Sequence, residues 1–406
     1  MRLQLIQLFS FLALSAFAQQ PQPDSEVKND SKVLDRTQVD FLFSYYHQEG
    51  NNSAVTGGKG TEKLTDVAST IIVNVPVRST HSIQVEYGIS YYTSASSDNI
   101  NPYSISSASS DNLVHKLDIT SSFKDTVNNS QRGFKVGATH QNNFGGIRIG
   151  GFYSKESEDR NREVKIQGSI SLDKWALYYP ISKLYPIELK GQGDLVDTDK
   201  RYSYNFSLAY KQILTTRLQM QLAGELIYQT GLLSTPFHRV YFTEQDAPKL
   251  EKLPSHKLRI PLTLRLNYFL LDRLIVRSLY RFYVDDFGVR AHSINIELPF
   301  KITNFFSLYP FYNFHTQTAA NYFKGYKEHN LSEKYYTSDY DLSNLISYEL
   351  GGGVYYAPVY NIATIKRRKK NRHAIAWKKL ELRYAYYKRS TGLYANIVST
   401  HFGFIF

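Results

Sequence analysis

The sequence predicts an all-β chain closed into a transmembrane antiparallel up-and-down β-barrel of about 16 strands, within a range of about 14 to 18. Three observations predict it. Apolar and polar residues alternate along most of the chain, the runs last about 9–13 residues, and tyrosines pair near their ends.

Residues 260–268, IPLTLRLNY, set Ile260, Leu262, Leu264, Leu266 and Tyr268 against Pro261, Thr263, Arg265 and Asn267. Successive side chains of a strand point to opposite faces, so such a run has one apolar and one polar face. The pattern recurs with Val39, Phe41, Phe43 and Tyr45 against Gln38, Asp40 and Ser44. It recurs with Ile83, Val85, Tyr87, Ile89 and Tyr91 against Gln84, Glu86, Gly88 and Ser90. A soluble β-sandwich buries its apolar face and uses strands of about 5–6 residues. A membrane barrel turns that face outward and needs about 9–11 residues per strand around a polar lumen. The long runs favour the barrel. Tyr45-Tyr46, Tyr91-Tyr92 and Tyr386-Tyr387 sit where interfacial aromatic girdles belong.

Taken in order, strands are expected near 37–46, 68–76, 82–93, 113–123, 132–141, 145–154, 163–172, 201–212, 217–229, 258–268, 273–285, 290–300, 305–317, 345–356, 378–388 and 395–406. An even number brings both termini to the periplasmic side. ILTT (213–216), LLD (270–272) and ITN (302–304) are then short periplasmic turns, and 230–257 and 318–344 are long outer loops. WALYYPI (175–181) is a candidate for one further strand. SLYRFY (278–283) returns as SLYPFY (307–312), a short echo between hairpins rather than a solenoid repeat.

The N-terminus sets the expected compartment. Met1 and Arg2 precede an apolar run, and Ala16 and Ala18 form an A-x-A cleavage site, so residues 1–18 read as a secretory signal peptide cut after Ala18. Residues 19–34 read as a flexible periplasmic lead-in, and 35–406 as the barrel. No later stretch is long and apolar enough for a transmembrane helix. The chain has no cysteine, which excludes disulfides, thiolate catalysis, Cys–zinc sites and a lipid anchor on cysteine. Its net charge is +12.

The chain ends on NIVSTHFGFIF, an alternating strand that stops on Phe406 and resembles the C-terminal assembly signal of bacterial outer-membrane barrels. Further segments, GNNSAVTGGKGTEKL (50–64), SISSASSDN (104–112), TPFHRVYF (235–242), YRFYVDDFGVRAHS (280–293) and YYTSDYDLS (335–343), resemble an uncharacterised family of predicted outer-membrane β-barrel proteins of unknown function, common in Bacteroidota. The resemblance runs from about Asp35 onward; Phe287 stands where the family has tryptophan. It implies fold and location, the outer membrane of a Gram-negative bacterium, and no activity.

From about residue 200 the even positions carry the apolar face, so the odd ones should line the lumen. These are Arg201, Lys211, Arg217, Arg265, Arg277, Arg281, Lys379 and Arg383, with Glu225, Asp285, Glu297, Glu349 and Glu381. Such a set serves either as an anion-favouring pore lining or as a ladder of mutually neutralising charges that fills the barrel. The mixture of signs favours the ladder.

Asp285 and Asp286 with His292 have the residue types of a metal or acid–base site. His292 falls in the outward register, and DDFG reads better as a turn. TGGKGTEKL (56–64) lacks the Ser or Thr and the helix of a phosphate loop, and reads as a glycine-rich outer loop that folds back over the mouth and that Glu62 ties to a lumen arginine. TSASS (93–97) and SASS (107–110) beside His115 lack a nucleophile elbow. YYTSDYD (335–341) suits either sugar or cation binding or packing into the barrel mouth. The basic run Lys366, Arg367, Arg368, Lys369, Lys370 and Arg372 falls in a periplasmic connection. There it would meet lipid headgroups, at about 1 kcal/mol per cation, or an acidic partner, or water alone.

Three functions remain: a porin-like channel or transport barrel for small solutes, a non-conducting accessory barrel docking envelope proteins, and a surface hydrolase without a coherent catalytic set. The expectation is no enzyme activity, no cofactor, no metal and no nucleic acid. The expected partners are outer-membrane lipids, the barrel assembly machinery during biogenesis, and an envelope protein.

Overall fold

The computed structural model describes residues 36–93, 112–178, 195–235, 238–365 and 375–406. The expected signal peptide and lead-in lie outside the described residues. The barrel strands are β1 (Gln38–Glu49), β2 (Leu64–Arg78), β3 (His81–Tyr92), β4 (Asn112–Asp125), β5 (Ser130–Gln141), β6 (Phe144–Glu156), β7 (Arg162–Tyr178) and β8 (Leu195–Thr215). They continue with β9 (Leu218–Gly231), β10 (His256–Leu271), β11 (Leu274–Asp285), β12 (Arg290–Glu297, resumed at Phe300–Lys301), β13 (Phe306–Gln317), β14 (Leu345–Tyr356), β15 (Ile375–Arg389) and β16 (Tyr394–Ile405). Each pairs antiparallel with its sequence neighbours, and β1 pairs with β16, Phe41 opposite Phe402, so the ring closes at 16 strands.

Differences from the expected strands have local causes. Pro299 has no N–H to donate, and β12 breaks just before it. WALY is not a further strand; it prolongs β7, with Trp175 opposite Asp199 of β8. Beyond Tyr356, residues 363–365 pair with 375–377, so the connection to β15 begins as a hairpin. The basic run Lys366 to Arg372 lies outside the described residues.

The apolar face is the outer one. Leu262 is 49% exposed and Ile149 62%, while Asp118, in the opposite register at mid-strand, is 2% exposed. Tyr204, Phe206, Leu208, Leu222 and Leu226 extend the outward belt. In water this belt would cost far more than a soluble protein tolerates; in hydrocarbon it is the matching surface. A closed ring also leaves no unpaired sheet edge in lipid.

Turns at the end holding both termini are mostly short, such as Ser79–Thr80, Thr216–Arg217 and Asp272–Arg273. Long loops at the other end span 50–63, 232–255 and 318–344. Inside, Tyr46, Leu64, Tyr309, Phe311, Ala385, Ala395 and Ile397 form a packed cluster against one wall. Gly351 and Gly353 face Phe311 and Tyr309 across the β13–β14 pair, and a Cβ on either would strike those rings. The glycines are sockets for aromatics that lie flat on the wall.

Leu262→Arg is expected to destabilise the barrel by about 2–4 kcal/mol in denaturant titrations from lipid vesicles, because it places a cation near the bilayer midplane. Thr263→Arg, its lumen-facing neighbour, should cost much less. A larger cost for Thr263→Arg than for Leu262→Arg would show that the assigned faces are reversed.

Candidate functional site

The lumen contains two kinds of charged wall. From β11 round to β1 the charges are paired. Glu297 is 1% exposed. It lies 2.9 Å from Nη1 of Arg277 and 3.6 Å from Nη2 of Arg383. The Arg383 guanidinium stacks over Tyr309 and Phe311 and reaches Glu381 at 3.8 Å. The Tyr309 hydroxyl donates to Glu381, which also lies 3.7 Å from His401. His401 and Lys379 each approach Asp40 at 2.8 Å. Glu349 hydrogen-bonds Asn313 and sits in the field of Arg383. This wall is the neutralising ladder.

On the far side, Asp173 binds Arg201 one to one, and the guanidinium also covers Trp175. Beside that pair, on β4 to β6, the balance changes. Asp118 receives Lys116 at 3.1 Å, Lys135 at 3.3 Å and Arg148 at 3.6 Å, and Lys116 also reaches Glu86 at 3.2 Å. None of these residues is among the lumen set read from the sequence, which begins at Arg201. The alternation of β3 to β6 contains the signal, once its inward register is followed.

The other expected lumen residues take varied places. Lys211 sits near the terminal end of β8, 3.9 Å from Glu163. Arg281 donates to Thr263, with Glu225 among its charged neighbours, and Arg265 lies in the field of Arg277 and Glu297. Asp285 is buried at the outer mouth and binds Lys257 at 2.8 Å. Arg217 does not line the lumen. It occupies the two-residue β8–β9 turn and is exposed, because the strand alternation ends there. DDFG is a turn: Gly288 adopts φ 89 and donates to Asp285 O. His292 points outward and hydrogen-bonds Tyr280 at 2.8 Å.

The outer mouth carries a folded cap. The 50–63 loop is rooted between β1 and β2, and the 232–255 loop between β9 and β10. Those roots are diametrically opposed in a ring of 16 strands, yet the loops touch. A short helical turn, Ala54–Thr56, ends at Gly57, whose φ of 83 suits glycine. A Cβ on Gly57 would meet the Tyr241 ring at 2.5 Å. The 318–344 loop completes the cap. Thr243 N–H donates to His329 O at 2.9 Å, Lys252 and Tyr336 exchange backbone bonds, and the Lys59 ammonium lies over Tyr326. Val240, Phe242, His329 and Thr337 are fully buried.

YYTSDYD is therefore packing: Tyr336 to Asp339 are buried. TGGKGTEKL folds back over the mouth as expected of it. Glu62 accepts from Gln48 at 3.4 Å, while the arginine at the rim, Arg389, binds Asp341 at 2.5 Å with Glu62 in its field. The serine-rich segments at 94–111 lie outside the described residues. His115 faces outward and hydrogen-bonds Tyr87. No cluster of three metal-ligating side chains occurs among the described residues.

With this geometry in place, the family can be stated. The family model described as "Protein of unknown function (DUF3570)" matches residues 187–392, just over half of the chain. The chain belongs to that family. No curated protein matches it. Among solved structures, a bacterial polysaccharide outer membrane secretin aligns with a TM-score of 0.46 at 12% identity, over 92% of this chain and 99% of its own. A mutant ferric enterobactin receptor from Pseudomonas aeruginosa gives 0.44 at 11% identity, over 86% of this chain and 53% of its own. The DUF3570 chain thus spans about half the length of that receptor. A loop-deletion mutant of OmpT, an outer membrane protein of Vibrio cholerae, gives 0.40 at 10% identity, over 91% and 100%.

The cap of this DUF3570 chain is held around buried carboxyls. Glu251 accepts from Thr337 and from Thr235 N at 2.6 Å. Its neighbours are Asp339, and His238 at 4.0 Å. Burial, then Asp339, pushes its pKa up to about 7. Glu62 faces Asp341, Arg389 and Asp339; burial and the Asp341 charge push it up to about 8. Both groups bind their protons more tightly in the closed cap than in water.

Their contribution to closure is therefore complete below the solvated value of about 4.5 and is lost as pH rises through 7 to 8. Protection of the amides across 238–255 and 318–344, taken relative to the base-catalysed intrinsic exchange rate at each pH, is expected to be greater at pH 5 than at pH 9, and Glu251→Gln with Glu62→Gln should flatten the difference. A cap less protected at pH 5 than at pH 9 on that scale would contradict this linkage.

Proposed function

We propose that this protein is an outer-membrane barrel of a Gram-negative bacterium that forms a porin-like channel for small solutes, without catalytic activity. One observation carries the reading: the ring is apolar outside and charged inside, and lumen cations on β4 to β6 stay a third or more exposed. A ring of this size encloses more space than side chains alone fill. The signal peptide read at residues 1–18 and the short turns at the terminal end support a periplasmic location for that end. The cap makes the pore a gated one, closed at the outer mouth.

Purified barrel in planar bilayers is expected to give stepwise conductance that grows as pH rises from 5 to 9. Folded protein that stays silent over that range would remove the channel reading.

The cap also supports a second reading, a non-conducting barrel that presents its loops or its basic periplasmic connection to an envelope partner. Reversing the charges of Lys366, Arg367, Arg368, Lys369, Lys370 and Arg372 is then expected to abolish co-purification of envelope proteins. Unchanged co-purification would dismiss that connection as a docking element.

A further inference from the structure

The β4–β6 cluster differs from the other shared carboxylates of the lumen, Glu297 and Asp40, whose partners Arg277, Arg383, Lys379 and His401 keep only between 20% and 23% of their side chains exposed. Asp173 takes Arg201 one to one. On β4 to β6, Lys116, Lys135 and Arg148 converge on the single carboxylate of Asp118, with Glu86 engaging Lys116 alone. The three cations keep 37%, 33% and 39% of their side chains exposed, while the Asp118 side chain keeps 2%. The carboxylate is recessed into the wall and the positive groups stand between it and the lumen.

The recess is built into the sheet. Gly137 pairs with Asp118 on one side and Arg148 on the other, and a Cβ on Gly137 would collide with Oδ1 of Asp118. Glycine at that one position lets the carboxylate lie flat and draw cations from three strands to one level. Two carboxylates cannot balance three cations at such distances, and only Asp118 reaches Lys135 and Arg148. An anion arriving from the lumen relieves the repulsion, and it meets a guanidinium fork beside two ammoniums, the donor set suited to phosphate or carboxylate oxygens.

We propose that Lys116, Lys135 and Arg148 form a binding station for small oxyanionic solutes, phosphate-bearing or carboxylate-bearing, on the mid-barrel wall. Asp118 is its positioning residue. The station deepens the channel reading by naming the solute class that passes or pauses there.

Inorganic phosphate is the probe, titrated calorimetrically into the detergent-solubilised full chain at low ionic strength. Saturable binding is expected, weakening as salt rises. Lys135→Gln with Arg148→Gln should weaken it by about tenfold or more. Gly137→Ala leaves every charge in place but displaces the Asp118 carboxylate, and should weaken binding as well. Heat-modifiable gel migration identifies folded barrels, and Lys135→Gln alone serves if the double variant does not fold. Absence of binding by the folded wild-type chain overturns the station, as does unchanged affinity in the folded double variant. Because binding is read without current, a barrel that binds phosphate and conducts nothing keeps the station and removes the channel.

Discussion

The structure depends on one constraint: every backbone N–H and C=O that crosses hydrocarbon must find its partner within the sheet. The seam between β1 and β16 meets it, in register from Gln38 opposite Ile405 to Glu49 opposite Tyr394. Once that seam closes, the face of one residue fixes the face of its cross-strand partners all the way round. Leu262 and Leu264 must look outward because Thr263 and Arg265 look inward. A slip of one residue anywhere would put arginine in lipid.

Closure leaves an interior too wide for a simple side-chain core, and the chain fills it unequally. From β11 to β1, Arg383 lies on Tyr309 and Phe311, and Glu297, Glu381, Asp40, His401 and Lys379 close a chain of partners. That wall is close to neutral and backed by a packed cluster that includes Tyr46, Tyr309 and Phe311. The β4–β6 wall holds more cation than anion and remains open. Above both, loops rooted on opposite sides of the ring meet over the mouth; under the proposed channel function, access belongs to the loops and selectivity to the wall.

The faces were legible in the sequence because the period of a strand is short and unambiguous: 260–268 alone shows which side is greasy. The strand number was legible for the same reason. Failures began where alternation stops carrying information. Arg217 continues the odd register on paper, but Thr216 and Arg217 are already the turn. Pro299 interrupts a strand whose apolar pattern runs through it. In the sequence the cap is a set of loops with separate fates, since no local pattern says that Tyr241 will meet Gly57 or that Thr337 will meet Glu251. Such contacts cross the mouth and arise only when the ring has closed.

The lumen charges show most sharply what sequence alone withholds. Parity shows that Lys116, Asp118, Lys135 and Arg148 face inward, but inter-strand register decides which of them meet, and therefore whether a wall neutralises itself. Glu86 opposite Asp118 opposite Gly137 opposite Arg148 is a row that exists only in the folded ring. Glycine is the least conspicuous member of that row and has the largest effect. At Gly146, beside Asp173, the space serves a one-to-one pair with Arg201; at Gly137 the same kind of space serves a carboxylate shared by three cations. The chemistry of the two places is alike, and their stoichiometry is not. That difference separates a brace in the wall from a surface that attracts anions.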